Sequence, residues 1–307
     1  MRFFDLHCDT VYEAANRSRS VYDNDLEISV KKAAKIDDWR ECYAAYIVDG
    51  LHGEAAYGEY KRLRDYFYKQ KETVAARLKC NEKGRYVADG ANKTIDAILT
   101  VENATALGGR LERVFSLAKD GVRMMGLTWN AENELAYGAG SVGGGLKPFG
   151  ISVISEMRKY GIAVDVSHLC DESLNDLLRR FDFPVAASHS NLRSGCGNKR
   201  NLTDDQFREI ASRGGVVGIN LHAPFISESD ATLYELLCHV DRMLSLGGES
   251  CVAFGSDFDG GKPPEFCRDI SYIPWLYDSF TSRFGEEQTD KIFFENAYVF
   301  FDKQRRN

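Results

Sequence analysis

The chain has 307 residues, 44% of them hydrophobic, and a net charge of −7 that is mixed along its length. That size admits one large α/β barrel or two small domains. The modest charge leaves no footprint for nucleic acid or an anionic membrane, and no apolar run approaches the ~20 residues that span a bilayer.

The predicted elements alternate strictly. Phe3–His7 opens as a strand, and Cys42–Val48 follows as the second. Glu54–Cys80 reads as a helix, because Tyr57, Tyr60, Leu63, Phe67, Val74 and Leu78 fall on one side as a core-packing stripe. Next come strand Ile95–Val101, helix Leu111–Lys119, strand Val122–Leu127, helix Ile151–Tyr160, strand Ile162–Val166 and helix Glu172–Arg180. Strand Val185–Ser188, helix Asp204–Ser212, strand Val216–Asn220, helix Leu233–Leu246 and strand Cys251–Gly255 continue the series, and a last helical pattern lies near Glu286–Phe301. No repeat, linker or low-complexity block interrupts it. Eight strands alternating with helices predict a (β/α)8 TIM-like barrel of the metal-dependent hydrolase type, as one domain over residues 1–307. The runner-up is an open doubly wound sheet.

Barrel enzymes carry their chemistry at the C-terminal ends of the strands. Here those ends read Asp9, Asp49, Glu102, Thr128, His168, His189, Asn220 and Asp257. His7 and Asp9 stand two residues apart in Asp5-Leu-His-Cys-Asp9, so on a strand they project from one face. His7, Asp9, Glu102, His168 and His189 form a nitrogen and oxygen ligand set without thiolate. Such a set suits zinc, with manganese or cobalt as alternatives. Five ligands exceed one open tetrahedral site and fit two zinc ions per chain if one carboxylate bridges. Glu102 is the expected bridge, between the pair His7 and Asp9 and the pair His168 and His189.

Each residue also has a structural reading. His7 can cap a strand, and Asp9 can N-cap a helix at Thr10–Ala15. Glu102 follows the apolar run Ile98-Leu-Thr-Val101, where a salt bridge would also satisfy it. Asp257 is the expected proton carrier, and Asp259 a turn residue before Gly260 and Gly261. Arg200, shortly after His189, has the fork geometry to grip a carboxylate, or is a solvated loop residue. His222 is placed to donate to a developing oxyanion, or is a loop histidine. His52 and His239 lie away from strand ends and receive no role. Gly138-Ala-Gly-Ser-Val-Gly143 matches a dinucleotide fingerprint but does not directly follow a strand, so it reads as a flexible loop over the barrel mouth. Eight scattered cysteines without a CxxC pair read as reduced thiols. With no secretory signal ahead of Asp5 and no lipidation motif at the end, the expected location is cytoplasmic.

Taken in order, these motifs resemble the membrane dipeptidase family, also called renal dipeptidase. Asp5-Leu-His-Cys-Asp9 resembles its opening HxD motif, and Thr100-Val-Glu-Asn-Ala104 the segment of its bridging glutamate. Asp165-Val-Ser-His168 and Ser188-His-Ser190 resemble its two later histidine motifs, Lys199-Arg-Asn-Leu202 its carboxylate-binding stretch, and Gly255-Ser-Asp-Phe-Asp-Gly260 its strand-eight signature. The resemblance implies a binuclear zinc peptidase on a barrel, dipeptide substrates and a homodimer. It also implies that Trp129 stands where the family's histidine supports the tetrahedral intermediate, and His222 where the family has a tyrosine. Trp donates through one N–H and takes up no proton. The expected function is therefore a zinc dipeptidase using a metal-bridged hydroxide. Its rivals are another metal-dependent amidohydrolase or deaminase on the same barrel, and a non-catalytic metal-binding scaffold. The His-x-Asp opening and the lack of lysine in Val122–Leu127 separate it from the former.

Overall fold

The computed structural model describes residues 1–77 and 94–306, together with the short strands Lys79–Cys80 and Tyr86–Val87. Ten strands appear among them: β1 (Arg2–Cys8), β2 (Asp38–Tyr46), β3 (Lys79–Cys80), β4 (Tyr86–Val87), β5 (Thr94–Glu102), β6 (Met124–Gly126), β7 (Ala163–Asp165), β8 (Ala186–Ala187), β9 (Val216–Ile219) and β10 (Val252–Phe254). The hydrogen-bonded order runs β2-β1-β10-β9-β8-β7-β6-β5, and β2 also pairs with β5. The sheet therefore closes on itself as an eight-stranded parallel barrel, and the open-sheet alternative is excluded. The closing seam is long, running in register from Asp38 against Thr94 to Tyr46 against Glu102. β3 and β4 form an antiparallel hairpin, with β4 on the edge of β5.

Parallel strands buried on both faces read as short apolar runs, which is why all eight barrel strands were legible. Their boundaries move by a few residues. The largest shift is in β2, which starts at Asp38, because Asp38, Arg40 and Glu41 look polar but lie in the sheet. The helix predicted to reach Cys80 ends at Arg77, and Leu78 of its stripe lies outside the described residues. Helices Ala223–Ile226 and Ile273–Phe284 escape the pattern, and the helix offered at Thr10–Ala15 beside Asp9 runs from Thr10 to Arg17. The helix at Pro148–Lys159 starts three residues earlier than predicted, because Pro148 sits at its first turn, where no N–H is needed. The last pattern is helix Glu286–Asp290, a π-helical stretch Lys291–Glu295 and helix Asn296–Arg306. Among the described residues no helix is long and apolar enough to cross a membrane.

Two apolar clusters hold the barrel. The inner one takes at least one side chain from every barrel strand: Phe4 and Leu6, Cys42, Ile98, Met124, Ala163, Ala186, Val216 and Ala253. Phe294, Ala297, Phe300 and Phe301 join it, so the C-terminal segment plugs one end, with Phe301 stacked on Phe4 at 5.4 Å. The plug meets the early part of the strands and leaves their C-terminal ends to the functional residues. The outer cluster packs strands against helices and includes the predicted stripe residues Tyr60, Leu63 and Phe67.

Glycine matters most where β8, β9 and β10 converge. A Cβ on Gly218 would lie 1.9 Å from the Ser188 carbonyl oxygen, and one on Gly255 would lie 1.7 Å from it. Gly218→Ala is therefore expected to destabilise by ~1–3 kcal/mol or more in chemical denaturation. Gly58, in helix Gly53–Arg77 with open space around it, is the control. Gly58→Ala should stabilise by ~0.4–1 kcal/mol. Equal effects at the two positions would refute the close-approach argument.

Candidate active site

The strand ends bring six side chains to one buried point. A register shift between Asp5 and Cys8 ends the regular pairing of β1 just where His7 and Asp9 emerge. His7 Nε2 lies 3.3 Å from Asp9 Oδ2, 3.9 Å from Glu102 Oε2 and 4.0 Å from Asp257 Oδ1. Glu102 Oε1 lies 2.7 Å from His168 Nε2 and 3.7 Å from His189 Nε2. Glu102 thus stands between the two predicted pairs, and its ion-pair partners here are imidazoles rather than the lysine or arginine of an ordinary salt bridge. Helix Thr10–Arg17 does begin after Asp9, but the Asp9 side chain makes no capping hydrogen bond. Its Oδ1 is buried without a partner.

The donor set fits metal ions. The ligand atoms of His7, Glu102 and His189 lie within 4.8 Å of one another, as do those of His7, Asp9 and Asp257. The distal ring nitrogens are already engaged: His168 Nδ1 lies 3.1 Å from Asn130 Oδ1, and His189 Nδ1 lies 2.7 Å from Ser188 Oγ. Both rings then turn Nε2 inward, where the two nitrogens are only 2.8 Å apart. Two lone pairs at that distance repel unless a cation or proton lies between them.

The electrostatics point the same way. Burial, then the charges of Asp9 and Asp257, push the Glu102 carboxyl well above its usual range. Burial opposes charge on His7, but Glu102, Asp9 and Asp257 outweigh it and lift its pKa to about 10. Burial, with Arg200 and His7 nearby, drives His168 and His189 well below the usual imidazole value. Burial raises Asp257 to about 6, assisted by Asp9 and opposed by His7 and by a 3.0 Å hydrogen bond from Asn220 Nδ2.

Asp9, Glu102, His168 and Asp257 of this cluster line a pocket of about 430 Å³. Arg200, His222, Trp129 and Asp257 all line it. Arg200 is buried rather than a solvated loop residue, and its Nε and Nη2 have no hydrogen-bond partner. Its guanidinium carbon sits 5.5 Å from the centre of the Phe225 ring. His222 Nδ1 accepts from the Lys262 N–H at 2.7 Å, which leaves the ring proton on Nε2. Burial and Arg200 lower its pKa, so the ring is neutral. Trp129 belongs to an aromatic wall opposite Arg200 in strand order, edge-on to Tyr46 at 5.2 Å, which is edge-on to Tyr12 at 4.9 Å.

Several readings shift in detail. Asp49 does not line the pocket, and its carboxylate accepts from the Ala131 N–H at 2.8 Å. Tyr46 supplies the second strand's pocket residue instead. Gly138–Gly143 is no loose cover: Ala139 N–H donates to His168 O at 2.7 Å and Gly140 N–H to Asn130 O at 2.7 Å. Cβ atoms on Gly138 and Gly140 would clash with the Trp129 and Asn130 backbone, so these glycines serve packing. Asp259 sits in a turn and accepts from Thr10 Oγ1 at 2.6 Å and the Glu27 N–H at 2.7 Å. His239 is a packing residue that accepts from the Leu192 N–H, and His52 is exposed. The seven cysteines whose side chains are described are free, six of them buried. Sequence reasoning missed Tyr12, Tyr46, Asn130 and Asp165. Only Asp165 carried a signal, as a carboxylate inside the apolar run Val164–Val166.

Known proteins share this architecture. The profile of the membrane dipeptidase family, peptidase family M19, matches residues 1–304. An uncharacterized protein in the pqqA 5′ region of Klebsiella pneumoniae is 31% identical over 218 residues, which is 67% of this chain and 80% of that protein. A protein described as an uncharacterized dipeptidase of Schizosaccharomyces pombe is 35% identical over 175 residues, 54% of this chain and 41% of that protein. A metallopeptidase from Rhodobacter sphaeroides, solved with a phosphinate mimic of the dipeptide L-Ala-D-Ala, superposes with a TM-score of 0.88 at 22% identity, covering 99% of each chain. Fold, metal-compatible cluster and family profile converge: the chain belongs to the membrane dipeptidase family, peptidase family M19, and is a hydrolase of that metallo-dipeptidase class.

Proposed function

We propose that the chain is a zinc dipeptidase, in which His7, Asp9, Glu102, His168 and His189 would hold two zinc ions, with Glu102 shared between the two ligand pairs. The observation that carries the reading is that a metal-compatible cluster and an unpartnered, buried guanidinium share one pocket. A structurally similar peptidase binds a dipeptide mimic, which supports dipeptides as the substrate class. When bound, zinc supplies Lewis acidity and draws the pKa of a water toward neutrality.

The chain's own residues do the rest. Arg200 binds the substrate's free carboxylate through Nε and Nη2, two N–H groups whose burial otherwise costs free energy. This fixes one end of the substrate and leaves the other toward Tyr12, Tyr46 and Trp129. Asp257 takes the proton of the attacking water and gives it to the leaving amine. The Asn220 amide holds Asp257 Oδ2, which leaves Oδ1 for that transfer. His222, neutral with its proton on Nε2, donates to the developing oxyanion. Trp129 has no such proton to shuttle and acts as a wall.

Metal analysis of zinc-loaded protein should approach two equivalents, and chelation should abolish dipeptide hydrolysis. A stoichiometry that stays at one in excess zinc would remove Glu102 as a bridge.

Asp257→Asn should retain zinc and lose turnover by ~10²-fold or more, the usual reach of a positioned acid–base group. Near-normal kcat in the zinc-loaded variant would reassign proton transfer.

Arg200→Ala and amidation of the substrate carboxylate should each reduce kcat/KM at least about thirtyfold, since truncating such a charge pair costs ~2–5 kcal/mol. Combined, the two losses should not multiply, because they remove one contact. Multiplying losses across the four enzyme–substrate combinations would exclude Arg200 as the anchor.

A further inference from the structure

Behind His189 lies a buried carboxylate that the proposed reaction does not use. Asp165 ends β7 and is buried. Ala163 faces the barrel interior, so Asp165, two residues on, faces it too. Its Oδ1 accepts from the Ser167 N–H at 3.0 Å and the Ser188 N–H at 2.9 Å. Its Oδ2 accepts from Ser188 Oγ at 2.5 Å. A carboxylate only accepts, so the Ser188 hydroxyl spends its one proton on Asp165. The same hydroxyl oxygen lies 2.7 Å from His189 Nδ1, and it can meet that nitrogen only as an acceptor. The proton of the His189 ring is therefore on Nδ1, and the Nε2 lone pair faces Glu102 and His168.

We propose that Asp165, acting through Ser188, is a positioning residue that fixes the tautomer and orientation of His189 for metal binding. The proposal rests on the metal reading of the site given above. Carboxylate-to-histidine contacts behind metal ligands are a general device, and here a serine hydroxyl is interposed. The other imidazole of the pair is held differently, since His168 Nδ1 meets the neutral amide oxygen of Asn130. The distal nitrogens of the two histidines are therefore held by different groups, a serine hydroxyl backed by a carboxylate for His189 and an amide oxygen for His168. Ser167 adds a second restraint, as its hydroxyl accepts the His189 backbone N–H at 3.1 Å.

Replacing Asp165 by asparagine reverses the chain of donors. An amide NH2 facing Ser188 Oγ turns that hydroxyl around, so it donates to His189 Nδ1. The ring proton then moves to Nε2 and blocks the ligand position. Ser188→Ala removes the link while leaving Asp165 and its backbone contacts in place.

The test uses metal-free full-length protein. Long-range ¹H–¹⁵N NMR of the wild type should show His189 protonated on Nδ1, and Asp165→Asn should show it on Nε2. Zinc affinity is then measured by competition with a chromogenic chelator. One of the two equivalents should weaken roughly ten- to hundredfold in Asp165→Asn and in Ser188→Ala. Thermal melting of each metal-free variant separates loss of fold from loss of the relay. A wild-type His189 protonated on Nε2 overturns the proposal even if neither variant folds. So does wild-type affinity for both equivalents in either folded variant. A wild type that binds fewer than two equivalents overturns the metal reading instead, and the NMR result still decides the hydrogen-bond chain.

Discussion

The structure depends on one electrostatic constraint: three carboxylates and three imidazoles share a buried point at the barrel mouth. Burial and the neighbouring carboxylates both oppose ionisation of Glu102 and Asp257 there. Protons answer the constraint in part, which is why His7 is pushed to about 10 while His168 and His189 fall well below their usual value. Divalent cations held by these residues would answer it further, by offsetting the repulsion among the carboxylates and engaging the Nε2 lone pairs. A network half satisfied by protons costs more than an apolar core of the same shape, so its retention here points to function rather than stability.

Holding those groups together falls to side chains that clamp neighbouring strand ends. Asp5 Oδ1 accepts from the His7 N–H at 3.3 Å and from the Ser256 N–H at 2.7 Å, tying the end of β1 to the segment that carries Asp257. Asp165 repeats the pattern between the segments of His168 and His189. Asn191 accepts from the Asn220 N–H at 3.0 Å and donates to the Asn220 carbonyl at 2.9 Å, joining the ends of β8 and β9. Each clamp satisfies backbone donors that the short strands leave open, and each sets the spacing between residues of the pocket. The barrel supplies the ring, and the clamps supply the sub-ångström placement that metal ligands need.

Much of this was legible in the sequence for a simple reason. Buried parallel strands are short apolar runs, and a polar residue just past such a run stands out, as Glu102 does after Ile98–Val101. What stayed hidden obeys other rules. Tyr46 and Tyr12 look like ordinary core aromatics, because one residue of strand length decides whether a ring packs or lines the mouth. Asp49 was offered by the same pattern but turned to a backbone amide. Asn130 sits in a loop where no period exists, and its role follows only from three-dimensional proximity to His168. Helix Ile273–Phe284 was masked by Pro274, which sits in its first turn.

Backbone conformation adds a last step. Among the described residues five non-glycines hold positive φ, and four of them, Asn103, His168, Asp257 and Asp259, lie at or beside the site. Asn, Asp and His are the non-glycine residues that enter the left-handed region most readily, yet they still pay a cost there that glycine does not. Glycine would remove the strain at His168 and Asp257, and with it the side chain the site requires. Such conformations cost ~1–3 kcal/mol each and persist only where the surroundings over-determine them. The surroundings are the clamps and the closed barrel: Asp257 N–H is held by the His7 carbonyl at 3.1 Å, and the His168 carbonyl by the Ala139 N–H at 2.7 Å. The strain is thus confined to turns whose direction aims an imidazole and a carboxylate back over the barrel axis. Stability drawn from the plugged, close-packed lower barrel offsets it, which is why a substitution in the core and one in the mouth are expected to act on different properties of this protein.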